Sequence, residues 1–468
     1  MLKVGVVREI ETDYLVIGAG ATGMAFADAL VAESDADVVL VDRRHRPGGH
    51  WLDAYPFVRL HQPSAYYGVN SRVLGQNRVD DQGPNAGFYE RATAAEIVEY
   101  FNRVLEEDLA ASGRVRFFAM CDYRGADTDG HRFVSLLTGV PTTVRVRRRV
   151  VDATYVESSI PSRHTPGFVI DPDVRMLPPN DLVDMGEPAS GFTIIGAGKT
   201  AMDTCNWLLD AGVDANRIRW IRPRDGWFFS RTYMQPLDLV ASYMQLQAGF
   251  VEHAANCDGP RNFTERLEAD GIMLRIDPSV QPEVFRGATL SRLELDSLRQ
   301  IDNIVRLGRV RRIGTQRIAF DNTELPADPD QVYVDCTAAG VRPVEPRPVF
   351  DHDRITMQYV TIGIVPWSAA TIAAVEASDR GVNRKNELCP PVTFTGEASD
   401  ILQIAFAGMT GLMARGAEPD IGAWTDKCRL NPARGAADHL DDPQVQKAFS
   451  SLVTNMGPAI HNLEQLTT

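Results

Sequence analysis

Short apolar runs that halt at glycine-rich turns recur along this chain. Residues 14–17 (Tyr-Leu-Val-Ile) read as a buried parallel strand that enters Gly18-Ala19-Gly20-Ala21-Thr22-Gly23. The alanine-rich stretch that follows, to Ala32, carries apolar residues at helical spacing. A second buried strand, residues 37–41, ends at Asp42. Strand, glycine turn, helix and strand make one βαβ unit.

The same rhythm returns near the middle of the chain. Residues 192–195 read as a strand, Gly196-Ala197-Gly198-Lys199-Thr200-Ala201 as a turn, and the stretch through Trp207 and Leu209 as a helix. Residues 218–221 follow as another strand. Two related segments flank this second unit, Val150-Val151-Asp152-Ala153-Thr154 before it and Tyr333-Val334-Asp335-Cys336-Thr337 after it. Both read as strands ending in a small-residue turn.

The simplest arrangement is an α/β fold with two Rossmann-like dinucleotide-binding domains, the second inserted into the first. It divides the chain into residues 1–160, an insert at 161–330, a return segment at 331–440 and a terminal helical segment at 441–468. Residues 404–408 (Ile-Ala-Phe-Ala-Gly) are expected to return and complete the first lobe. Pro178-Pro179 and Gly186-Glu187-Pro188 punctuate the entry into the insert.

Composition narrows the function classes. With 468 residues, 44% hydrophobic and 24% charged, the chain can bury cores large enough to enclose a cofactor. Its net charge of -14 repels nucleic acid and anionic membranes, so any bound phosphate must be held by local donors. Cys121, Cys205, Cys257, Cys336, Cys389 and Cys428 form no CxxC and no zinc spacing, and read as reduced thiols. Residues 1–13 lack a signal-peptide core, and no apolar run reaches the roughly 20 residues of a membrane span. These patterns predict a soluble, cytoplasmic protein with no metal site.

The glycine turns carry the first chemistry. Gly18 permits the tight turn, Gly20 lets backbone approach a diphosphate, and Gly23 allows close packing of helix on strand. The adjoining Ala21 and Thr22 lie where free N–H groups and the helix dipole meet that anion. Asp42 stands at roughly the spacing expected of a carboxylate on ribose hydroxyls, with Arg43 beside it. In the second turn Gly196 and Gly198 repeat these roles and Ala201 takes the third glycine position. Lys199, next to Thr200, either supports the diphosphate or is an exposed first-turn lysine. The following strand ends in Arg222-Pro223-Arg224 with no acid, so Arg222 and Arg224 either pair with a 2′-phosphate, favouring NADPH, or lie at the surface. After Asp42 comes Gly48-Gly49-His50-Trp51, where glycine backbone can pass a planar ligand and Trp51 offers an apolar wall.

These residues resemble the flavin-containing and Baeyer–Villiger (class B) monooxygenases, which bind FAD and NADPH in two dinucleotide-binding domains. The likeness rests on GAGATG, Asp42, GGHW, GAGKTA, the Arg222–Arg224 stretch and the paired VDAT and VDCT segments. It spans about residues 12 to 410 in order and spacing. The resemblance implies FAD on the first lobe, with Gly49, His50 and Trp51 near the flavin, and NADPH on the second. It places Leu60-His61-Gln62-Pro63-Ser64 at the polar segment beside the isoalloxazine. The family fingerprint FxGxxxHxxx(Y/F) puts its histidine at His164, but Ser158 stands where Phe is expected and Ile160 where Gly is expected.

The implied activity is reduction of FAD by NADPH, capture of O2 as a flavin C4a-(hydro)peroxide, and oxygenation of a small organic substrate. His61, Gln62 and His164 are the candidate catalytic groups, with Trp51, Tyr66 and Tyr67 as apolar walls of a dry pocket. The absence of CxxC excludes a dithiol relay, so electrons pass to oxygen or directly to substrate. A flavin dehydrogenase or oxidase without oxygen transfer and a redox-dependent binding module remain alternatives. Trp227 and Arg231 are placed for ligand contact or packing, Asn180-Asp181 for the cleft or a turn, and Asp203, Met234 and residues 360–375 for the site or the scaffold. Substrate and oligomeric state are open, a homodimer being one form.

Overall fold

The computed structural model describes residues 8–361, 364–392 and 394–467. Met1–Val7 of the N-terminal segment, and Ile362 and Gly363 of the 360–375 segment, lie outside the described residues.

Arg8–Ile17, Val38–Val41, Val115–Phe118 and Pro141–Asp152 form a parallel sheet. The strand read at 14–17 is the buried end of the longer Arg8–Ile17, with Tyr14 opposite Val38 and Ile17 opposite Val41. Arg354–Thr356 adds in parallel to Pro141–Asp152, and the hairpin Cys121–Asp127/Gly130–Ser135 continues the sheet antiparallel. All four residues of Val38–Val41 are buried because both faces of the sheet are covered. On one face the helix Ala21–Glu33 lies against Val365–Ala377, whose side chains are apolar or small nearly all round. That helix accounts for most of the 360–375 segment, so those residues serve mainly as scaffold.

Ile304–Val305, Ile218–Ile221, Phe192–Ile195, Val332–Asp335 and Met176–Leu177 form a second, all-parallel sheet in that order. Lys199–Asp210 packs on it through Ala201, Met202, Cys205 and Leu208. The chain passes between the lobes at two adjacent points, where Ser158–Ser159 pairs antiparallel with Gly340–Val341.

Two placements differ from the sequence reading. Val332–Asp335, expected in the return segment, pairs residue for residue with Phe192–Ile195 and belongs to the second sheet. Residues 404–408 complete neither sheet. They lie inside the helix Asp400–Gly416, whose Ile401, Ile404, Ala405 and Met409 pack with Phe250, Phe263 and Leu463. A helical repeat of apolar positions there suits a layer of helices, which Val240–Asn256 and the terminal helix Pro443–Thr467 complete.

Candidate active site between two glycine turns

The two turns are built alike. Gly18 has φ of 100°, and Gly196 has φ of 134°, conformations that L side chains rarely adopt. A Cβ on Gly18 would meet Thr154 at 3.0 Å, and one on Gly196 would meet the Cys336 carbonyl at 2.4 Å. The repeated VDAT and VDCT segments therefore abut equivalent turns. In the first, the Thr154 N–H and hydroxyl donate to Asp152 at 3.0 and 2.7 Å. In the second, the Thr337 N–H and hydroxyl donate to Asp335 at 2.9 and 2.6 Å.

Space around the other glycines separates their roles. A Cβ on Gly23 would lie 1.9 Å from the Gly18 carbonyl oxygen, so helix and turn touch there through backbone alone. Gly20 and Gly49 meet face to face, a Cβ on Gly49 falling 2.9 Å from the Gly20 Cα. A Cβ on Gly198 would have nothing within 4 Å. Gly20 and Gly198 are the N-caps of their helices, and neither helix has a side-chain cap or an acid in its first turn. The first-turn N–H groups at both sites thus remain free for an anion. The residues present fit a dinucleotide diphosphate at each turn.

Both turns open onto one cavity of about 1500 Å³, larger than the usual 300–1,000 Å³ of a single-ligand site. Gly18, Gly20, Ala21, Thr22, Asp42, Arg43, Gly49, His50 and Trp51 line its first end, and Gly196, Gly198, Lys199, Thr200 and Arg224 line its second. Asp42 accepts from the Ala19 N–H at 2.6 Å and the Arg44 N–H at 2.8 Å, joining strand end to turn. Arg43 reaches Asp122 at 3.3 Å on the rim.

Arg222 requires a correction. Its side chain is 2% exposed, ion-paired with Asp225 at 2.9 Å, and does not line the cavity. Strand alternation puts it on the face of Trp220, over whose ring its guanidinium lies at 4.8 Å. Arg224 does face the cavity, where it pairs with Glu397 at 2.8 Å. Arg286, Arg309 and Arg311 join it there, cations that no motif marked because they arrive from the strand Val284–Leu290 and from the loop before Arg312, both far from the glycine turn in sequence.

Between the two ends the wall becomes aromatic and aliphatic: Tyr67, Trp227, Phe229, Phe285, Tyr359 and Ile404 line it. Trp51 donates from Nε1 to the Tyr67 hydroxyl at 2.7 Å, and His50 lies over Trp51 at 4.8 Å between ring centroids. Tyr66, expected as a second wall, instead turns into the core and donates to the Met234 carbonyl at 3.0 Å. That bond also gives Met234 a scaffold role.

His61 and Gln62 face the cavity at the junction of the lobes. Burial pushes the His61 imidazole down to about 3, helped by the cations Lys199, Arg91 and Arg231. Burial, with Arg44 adding to it, lowers His50 to about 4. Behind His61, the Glu294 carboxylate accepts from Arg231 at 2.7 Å and from Arg91 at 3.2 Å. Burial alone would raise Glu294, but Lys199, Arg231 and Arg91 hold it at about 2. Arg231 is fully buried in this cluster and outside the cavity. Its neighbour in sequence, Trp227, is the one that reaches the wall.

His164 also lines the cavity, at the crossing between lobes, with Nε2 and the Thr337 hydroxyl 3.1 Å apart. Asn180 donates to the Asp53 carbonyl at 3.1 Å, tying the insert's entry to the segment after GGHW. Asp181 stands in the first turn of the short 3-10 helix Pro179–Asp184. Tyr55 and Asp203 meet across the lobes at 2.7 Å, a pairing that only the folded chain reveals.

Residues 16–68 match a family model described as an NAD(P)-binding Rossmann-like domain. The chain is 44% identical over 428 residues to Uncharacterized protein Rv2000 of Mycobacterium tuberculosis, covering 91% of this chain and 79% of that protein. Among solved structures it resembles OTEMO in complex with FAD and NADP, with a TM-score of 0.51 and 14% identity over 78% of this chain and 83% of the other. A polycyclic ketone monooxygenase from Thermothelomyces thermophila gives a TM-score of 0.49 and 12% identity over 97% and 90%. Among the described residues no helix is long and apolar enough to cross a membrane.

Proposed function

This protein belongs to the same family as Rv2000 of Mycobacterium tuberculosis, and from its fold and shared cleft we propose that it is an FAD-dependent, NADPH-consuming monooxygenase acting on a small organic substrate. The carrying observation is that two uncapped helix N-termini, each built on glycine, open onto one cavity with an apolar middle. On this reading residues 1–160 with the return segment bind FAD, and the insert binds NADPH. The side of Gly49, His50 and Trp51 next to the first turn supports flavin there, although the matching family model is described by NAD(P). OTEMO, in its complex with FAD and NADP, offers the corresponding pair of ligands.

When bound, the cofactors supply hydride transfer and oxygen activation. The chain's part is to bind, orient and keep water out. Gly18, Gly20 and the free N–H groups at Ala21 and Thr22 hold one diphosphate, with Asp42 at the ribose. Gly196, Gly198 and the Thr200 corner hold the other, and Arg224 with Arg286 offers charge to a 2′-phosphate. Trp51, Tyr67, Phe285 and Tyr359 make the middle of the cleft dry. His61, kept neutral, and Gln62 present hydrogen-bonding groups there without adding charge. His164 sits at the lobe crossing, where it can orient whatever bridges the two sites.

Purified protein is expected to be yellow, to release FAD on denaturation, and to oxidise NADPH faster than NADH. A substrate screen that compares NADPH consumed with product formed and hydrogen peroxide released tests the oxygen transfer. Ser158 and Ile160, which depart from the family fingerprint, favour a second reading as a flavin dehydrogenase or oxidase. Full recovery of NADPH electrons as hydrogen peroxide or reduced acceptor, for every substrate tried, selects that reading. A colourless protein that gains no thermal protection from added FAD refutes both.

A further inference from the structure

Lys199 occupies the first position of the helix Lys199–Asp210, a natural place for a side chain reaching toward a diphosphate or toward solvent. It does neither. Its side chain is 8% exposed, and its ammonium is ion-paired with the Asp203 carboxylate one turn on. The other Asp203 oxygen accepts from the Tyr55 hydroxyl at 2.7 Å. Tyr55 belongs to the first lobe, a few residues past Gly49-His50-Trp51, and its hydroxyl also neighbours Thr200 of the second turn. Two residues further on, Phe57 stacks on Trp207 of the same helix, with ring centroids 4.8 Å apart and planes at 15°. One face of this nucleotide-binding helix is therefore clamped to the segment that leads into His61.

Helix stability does not account for the Lys199–Asp203 pair. A cation in the first turn opposes the helix dipole, and lysine four residues before an acid is the weaker orientation of such a pair. The pair makes sense through its third member. With both oxygens of Asp203 engaged, Lys199 is held on the wall of the cavity that His61 also lines, and its charge disfavours protonation of His61. The diphosphate at the second turn is left to backbone N–H groups, beside a Gly198 that has open space around it.

We propose that Tyr55, Asp203 and Lys199 form an inter-lobe latch that withholds Lys199 from the second-turn diphosphate and fixes it as a positioning cation beside His61. The latch rests on the assignment of NADPH to the second turn. Cutting it at Asp203 frees Lys199 to swing to the diphosphate, so nucleotide binding strengthens while alignment at the reactive end is lost.

NADP+ binding to the flavin-loaded protein, measured by titration calorimetry, tests this together with flavin reduction at saturating NADPH, followed by bleaching. Lys199→Met is expected to leave the NADP+ Kd within about twofold and to slow flavin reduction about tenfold. Asp203→Asn is expected to tighten NADP+ several-fold and slow reduction, and Lys199→Met in that background removes the gain in affinity. Tyr55→Phe, which deletes one hydroxyl and keeps the buried ring, shifts both readouts the same way as Asp203→Asn by a smaller factor. A merely structural role would lower the melting temperature without producing this opposition of Kd and rate. A tenfold or greater weakening of NADP+ by Lys199→Met alone, or an unchanged Kd in both Asp203→Asn and Tyr55→Phe, overturns the latch and leaves the NADPH assignment standing. Failure of the parent protein to bind NADP+ overturns both.

Discussion

Gly198 is the position where the second nucleotide site can be tested apart from folding. Its φ is -87°, which any residue adopts, and a Cβ there would meet nothing within 4 Å. Alanine is a poorer N-cap than glycine, which costs about 0.5–1 kcal/mol. For domains of this size that corresponds to a drop in melting temperature of roughly 1–4 °C. Gly196→Ala provides the contrast. It forces an alanine to φ of 134° and drives its Cβ to 2.4 Å from the Cys336 carbonyl, so the second sheet must distort. If the N–H groups after Gly198 receive a diphosphate, the added methyl stands where that diphosphate must approach. Gly198→Ala should then weaken NADP+ by at least about tenfold, or 1.4 kcal/mol, with FAD retained. Calorimetric titration and thermal melting on the same preparations measure both terms. An unchanged NADP+ Kd in a normally folded Gly198→Ala protein refutes the assignment of the diphosphate to this corner.

Other positions extend the test. Gly23→Ala places a methyl 1.9 Å from the Gly18 carbonyl oxygen, so it should cost more than about 3 kcal/mol and leave little folded, flavin-loaded protein on size exclusion. Arg224→Gln should raise the KM for NADPH several-fold more than that for NADH. Arg222→Gln should lower the melting temperature with that preference intact, and the reverse pattern would return Arg222 to the cleft. His61 and His50, with folded values of about 3 and 4, stay neutral while the unfolded chain takes up protons below about pH 6.5. Stability should therefore fall as pH drops from about 6.5 towards 3, and His61→Gln should flatten that slope in urea denaturation. An identical slope in the variant would mean that His61 is charged in the folded state.

The glycine corners were legible because the backbone itself imposes residue type there: positive φ at Gly18 and Gly196, and backbone contact at Gly23. The strands that feed them were legible for a related reason, since burial on both faces leaves an unbroken apolar run. Which arginine faces the cleft was not. Arg222 and Arg224 are equivalent in composition, and only the Trp220 ring beneath Arg222 and the Asp225 carboxylate beside it decide between them. Of the aromatic middle of the cavity, Trp51 and Tyr67 were expected and the rest was hidden. Phe285, Tyr359 and Ile404 come from three distant stretches, and none bears a local pattern that distinguishes lining from core. Residues 404–408 show the complementary error, because a short apolar run reads alike as buried strand or buried helix until its neighbours at helical spacing are weighed.

The antiparallel pairing of Ser158–Ser159 with Gly340–Val341 means that the chain leaves and re-enters the first sheet through one narrow doorway. The segment beyond it has neighbouring ends but also packs outward, Phe250 and Phe263 on Ile401, Ile404 and Leu463 and Asp203 on Tyr55, so a replacement unit must match those faces as well as bring close-set termini. On the proposed assignment of NADPH to the insert, a unit exchanged on those terms would bring its own cofactor preference to an unchanged body.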